Sequence, residues 1–128
     1  MTEWQRMSAG DLGRAIGRGE IDPLDLAAAF LDAIRAHPMQ DRIYARLTEG
    51  RALAEAEAAS KRAKAGHRLS PLDGVPVSWK DLFDSAGTVT EAGSKLLEGR
   101  VPDRDAEVLA TATLQGLVCL GKTHMTEL

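Results

Sequence analysis

One cysteine, Cys119, is all that the 128 residues contain, so no internal disulfide can brace the fold, and the thiol fits a reducing cytoplasm. Aromatic residues make up only 4% of the chain, which leaves little bulk for a core built from alanine-rich segments. No apolar run approaches the roughly 18 residues that span a bilayer, and Met1 to Arg6 lacks the apolar stretch of a secretory leader; neither membrane insertion nor export is expected. An excess of positive charge is missing too. Lys and Arg number 16 against 19 Asp and Glu, a net charge of −3, and direct nucleic-acid binding by phosphate neutralisation is disfavoured. His37, His67 and His124 share no ligand-like spacing with one another or with Cys119, so no metal site is expected. No G-x-S-x-G elbow occurs either. What remains, 44% apolar and 27% charged, has the composition of a single globular domain.

The pattern along the chain divides it in two. Residues 8–65 read as helical. Ser8 is placed to cap a first helix with an apolar stripe at Leu12, Ala15 and Ile16. Asp22 caps a second, with Pro23 at its first position and Ala27, Phe30, Leu31 and Ile34 repeating at i, i+3, i+4, i+7 until His37-Pro38 stops it. Ile43 to Leu47 alternates like a short strand. Glu49 to Ala65 has strong helix formers with acids early and bases late, as the helix dipole favours, and its charges are expected to face solvent. Residues 72–128 read as strand, loop, helix, strand. Val75 to Lys80 is extended, residues 81–104 form a long loop with a helical turn at Lys95 to Leu97, Asp105 caps a helix, and Leu117 to Leu120 is a short buried strand. The class is α/β. The last strand lacks an element to cover it, and a natural domain is expected to continue; expressed alone, the chain is expected to be poorly soluble or to self-associate.

Two lysines stand in suggestive places. Gly116-Leu117-Val118-Cys119-Leu120-Gly121-Lys122-Thr123 satisfies G-x-x-x-x-G-K-[ST], but the mechanism of that pattern needs a loop after a strand whose N–H groups wrap phosphates. Here Leu-Val-Cys-Leu reads as the strand itself, so a nucleotide-binding module stays only as a competing reading, beside a non-enzymatic interaction module. Lys80 closes Val75-Pro76-Val77-Ser78-Trp79-Lys80, with Val75, Val77 and Trp79 on one face and Pro76, Ser78 and Lys80 on the other. A lysine in a partly desolvated site can lose its proton and become a competent general base. The plainer alternative pairs it with Asp81 or Asp84 at the surface.

Leu72-Asp73-Gly74-Val75-Pro76-Val77-Ser78-Trp79-Lys80-Asp81 resembles the L-x-G-[VI]-P-x-x-x-K-D segment of the amidase signature family. Three further blocks follow in that family's order: Gly87 to Ser94, Asp103 to Ala106, and Gly121 to Glu127. The resemblance implies a mixed β-sheet surrounded by helices, represented here by its N-terminal part. It implies amide hydrolysis through a Ser–cis-Ser–Lys triad without metal or organic cofactor, acting on a small-molecule amide. Lys80 matches the catalytic lysine. The serine-rich half of the motif and the oxyanion donors would lie beyond Leu128, so the isolated 128 residues are expected to be inactive and to need the remainder of the amidase chain. A glutaminase subunit of a tRNA-dependent amidotransferase is the alternative. Ser94 reads as a loop hydrogen-bonder, not a nucleophile. His124 stands where many members carry Asn.

Overall fold

The computed structural model describes residues 3–126. After a 3-10 turn at Glu3–Arg6 come α1 (Ala9–Gly17), α2 (Pro23–Ala36), α3 (Gln40–Ile43), β1 (Tyr44–Leu47) and α4 (Glu49–Ala65), then β2 (Pro76–Lys80), a 3-10 turn (Lys95–Leu97), α5 (Glu107–Leu114) and β3 (Val118–Thr123). Ser8 caps α1 by accepting from the Asp11 amide, and Asp22 caps α2 by accepting from Leu24, the side-chain oxygens meeting the unpaired N–H groups of a first turn. These helices start and stop where the sequence pattern places them. Three local expectations need correcting. Ile43 ends the helical turn α3 instead of opening the strand, which begins at Tyr44. Asp105 does not cap α5, whose N-cap is Ala106; its carboxylate instead accepts from the Ala86 amide and from Arg51. Finally, the last strand does not run from Leu117 to Leu120 but from Val118 through Gly121-Lys122-Thr123.

The sheet has the order β1-β3-β2, with β1 antiparallel and β2 parallel to the central β3. Gly121 is required in β3 because a Cβ there would lie 2.7 Å from the Arg46 carbonyl of β1. Helices α2 and α4 cover the sheet. Ala27 and Leu31 of α2 and Ala52 and Ala56 of α4 meet Val118 and Leu120, the small alanines letting the helices approach closely, which is how a chain poor in aromatics still closes a core. Leu12, Ala15 and Ile16 of α1 pack with Ile21, Leu26 and Val75 in a second cluster.

The charges of α4 do not all face solvent. Arg51 binds both oxygens of Asp105 at 2.8 and 2.9 Å. Glu55 accepts from the Cys119 amide at 2.9 Å, and Arg62 reaches buried Asp73. The helix composition is right, but part of its polar stripe is a set of inward tethers. Gly116 adjoins one of them: at φ +90°, a Cβ would sit 2.2 Å from Asp73 Oδ1. Gly116→Ala is expected to lower the unfolding free energy by about 1–3 kcal/mol, through left-handed strain and displacement of that carboxylate. Urea unfolding of the two proteins measures it.

The long connection between β2 and α5 is held down at several points. Arg100 grips Asp84 through two hydrogen bonds of 2.8 and 2.7 Å, Gly87 donates to Pro102, Thr90 to Arg100, and Ala106 to Asp84. The arginine hydrogen bonds hold the Asp84 and Asp105 carboxyls below the ordinary aspartate value of 3.8, against the opposing effect of burial. A depressed folded-state pKa gives stability that is complete above the unfolded value and lost as pH falls through the folded one. The melting temperature is therefore expected to be level from pH 7 to about 5 and to drop below about pH 4, with amide exchange at Ala86 and Gly87 accelerating in the same range. Level stability down to pH 3 would show that these pairs anchor nothing.

Candidate active site

Lys80 ends β2 opposite Thr123 of β3, so it sits at the carboxyl edge of two parallel strands, where open α/β sheets place ligands. Its side chain is exposed. Neither acid of the surface-anchor alternative is its partner. Asp81 is taken by Arg46 and Lys122, and Asp84 by Arg100; among the described residues Lys80 makes no ion pair.

The serines nearest to Lys80 in sequence are all engaged. Ser78 lies 2.6 Å from the Tyr44 hydroxyl, Ser85 accepts from Lys122 Nζ at 3.2 Å, and Ser94 accepts from the Leu96 amide, capping the 3-10 turn. The reading of Ser94 as a loop hydrogen-bonder agrees with that geometry. His124 donates its amide to Ile43 and places Nε2 2.9 Å from the Asp41 carbonyl, joining the end of β3 to α3. An apolar groove of about 800 Å³ runs beside α2, lined by Phe30, Ala33, Ile34, Ile43 and Tyr44 among others; no residue of β2 lines it.

Beneath the Lys80 edge is a group of charges that sequence reasoning missed. Lys122 is 0% exposed and Asp81 3%. Lys122 Nζ donates to Thr90 Oγ1 at 2.9 Å and to Ser85 Oγ at 3.2 Å, and lies 3.6 Å from Asp81 Oδ1. Arg46, whose Cα pairs with Lys122 across β1 and β3, donates to Asp81, to the Val89 carbonyl and to Glu91. Two cations thus face two carboxylates, and the charges balance. Burial pulls the Lys122 pKa below the ordinary lysine value, while Asp81 pushes it back up. Lys122 follows the apolar run Leu117 to Leu120 and Arg46 stands on an alternating strand, but neither position names its partner. The geometry also removes the nucleotide-loop reading: residues 118–123 are a strand, and a fully enclosed Lys122 cannot meet a phosphate.

The Amidase family model matches residues 25–128. The chain is 40% identical over 127 residues to a glutamyl-tRNA(Gln) amidotransferase subunit of Thermobifida fusca, covering 99% of this chain and 26% of that protein. The corresponding protein of Salinispora arenicola is 41% identical over 130 residues, with the same coverage. Among solved structures, the native peptide amidase of Stenotrophomonas maltophilia superposes with a TM-score of 0.86 at 31% identity, over 94% of this chain and 25% of that one. A fatty acid amide hydrolase shares the fold, with a TM-score of 0.84 at 20% identity, over 96% of this chain and 22% of that one. The chain spans about a quarter of the length of the relatives it matches. On the family match, the four sequence blocks and the superposed fold, the chain belongs to the amidase family, with the α/β fold of that family.

Proposed function

We propose that this chain carries the general base of an amide hydrolase whose nucleophile lies in the further length that its relatives have. The observation that carries the reading is Lys80 itself. It is the lysine of the motif that resembles the amidase signature, stands at the carboxyl edge of parallel strands, and has both neighbouring acids bound by other cations. In the reaction, Lys80 in its neutral form accepts the proton of a bridging cis-serine, which accepts that of the nucleophilic serine. The serine oxygen then adds to the amide carbonyl, the C–N bond breaks, and the departing amine takes up the proton. Water hydrolyses the resulting ester. The substrate is a small-molecule amide and the setting the cytoplasm, in line with the lone thiol; among the described residues no helix is long and apolar enough to cross a membrane.

The names of the relatives favour a second reading, a glutaminase subunit that delivers ammonia to a tRNA-linked partner. One experiment addresses both. The polypeptide containing this chain and the full family length is assayed for ammonia release from a panel of free amides and from glutamine, alone and with any co-purifying protein and charged tRNA. Turnover of simple amides without a partner supports the first reading, and glutamine turnover that requires partner and tRNA supports the second. The 128-residue chain by itself is expected to release no ammonia; activity from it would overturn the placement of the nucleophile outside it.

A further inference from the structure

We propose that Lys122 is a positioning residue for the site, aiming Lys80 by tying three points of the surrounding chain to β3 through a buried ammonium. This rests on the reading of Lys80 as the base. The first point is Asp81, the residue bonded directly to Lys80. Its carboxylate faces Lys122 and Arg46, its amide donates to the Thr123 carbonyl at 2.9 Å, and its carbonyl accepts from Ala92 at 2.8 Å. The second and third points are Ser85 and Thr90, both buried, whose hydroxyls accept from Lys122. They bracket the tight reversal in which Ser85 pairs with Thr88.

Simple charge satisfaction does not account for the lysine. Asp81 already accepts from Arg46 and from the Glu91 amide, and an apolar side chain of similar volume would fill the space without the desolvation penalty of a buried ammonium. Arg46 joins Asp81 to Val89 and Glu91; among the described residues Lys122 is the side chain that donates to both Ser85 and Thr90 while facing Asp81. If the peptide after Lys80 shifts, so does the origin of its side chain, and displacement of about 1 Å in a reacting group can lower a rate by as much as 10²-fold.

The test is made in the full-length polypeptide, with Lys122→Met, Asp81→Asn, their combination, Thr90→Val and Lys80→Ala. Lys122→Met is expected to lower kcat by roughly tenfold or more while KM changes by less than about twofold, the signature of lost alignment with binding intact. The Lys122→Met, Asp81→Asn pair should be no worse than about twofold beyond its poorer member, because both variants break one connection. A kcat within about twofold of wild type, or full additivity of the two losses, overturns the proposal. Where Lys122→Met does not fold, Thr90→Val keeps the lysine and removes one acceptor. Its kcat should fall by about threefold or more with KM unchanged, and a wild-type kcat there counts against the idea equally. Lys80→Ala separates the two readings. Full activity in that variant refutes the base assignment, and positioning with it. Loss of activity in Lys80→Ala beside a normal Lys122→Met refutes positioning alone.

Discussion

Replacing Lys80 by alanine in the full-length polypeptide is expected to lower kcat by about 10²–10⁴-fold, with KM changed far less. On the proposed reading, the variant removes the proton acceptor and leaves the nucleophilic serine and its oxyanion donors in place. A triad whose members act as one unit can lose more than that range. Arginine at position 80 should not rescue, because a guanidinium keeps its proton near neutral pH and cannot accept one from a serine. A lysine serving only as a surface anchor would behave in the opposite way: arginine would be tolerated, and alanine would cost melting temperature instead of rate. The geometry sharpens the contrast. Lys80 is exposed and among the described residues makes no ion pair, so Lys80→Ala should shift the melting temperature by no more than about a degree or two, as for a typical surface substitution. Near-wild-type turnover in Lys80→Arg would remove Lys80 from the mechanism.

The helices were legible because their punctuation is local. Ser8, Asp22, Pro23, His37-Pro38 and Gly66 act on the chain within one turn, and the structure stops and starts each helix within a residue of them. The position of Lys80 was legible too, since strand alternation ends on it and the motif holds a lysine there. Tertiary pairing was not. Arg46 and Asp81 are 35 residues apart and Lys122 and Thr90 32 apart, and nothing in the spacing of charges announces that they converge. The pattern of α4 misled for the same reason. Arg51, Glu55 and Arg62 look like any solvated helix stripe until the partners Asp105, Cys119 and Asp73 arrive from later in the chain. Where a strand ends is also a collective property. The apolar run ends at Leu120 and the strand reading ended with it, yet Gly121 is what lets β1 close against β3 and extend it.

The largest expected effect on stability lies at Asp73, on the way into β2. Its carboxylate is 1% exposed and takes Arg62 Nε at 2.8 Å, Arg62 Nη2 at 2.7 Å and the Leu69 amide at 2.8 Å. Asp73→Ala leaves a half-buried guanidinium and a backbone N–H without their acceptor, and opens a void against Gly116. Breaking one side of a buried charge pair typically costs about 3–5 kcal/mol, a large share of the 5–15 kcal/mol that roughly bounds domain stability. Because the Arg62 side chain keeps 27% exposure and can recover some hydration, the lower half of that range is expected. Asp73→Asn should cost less than Asp73→Ala. It keeps the shape and one oxygen for the Leu69 amide, but it presents an amide N–H₂ to Arg62, and two donors facing each other forfeit the paired geometry. Arg62→Met should fall beside Asp73→Ala, since it leaves the enclosed carboxylate without its cation, and the double variant should be no less stable than the worse single one. Denaturant midpoints at constant m-value report all four. Losses under about 1 kcal/mol for both single variants, or a double variant that sums them, would mean that Asp73 and Arg62 are neighbours without being a tether, and that α4 is held to the entry of β2 by apolar packing alone.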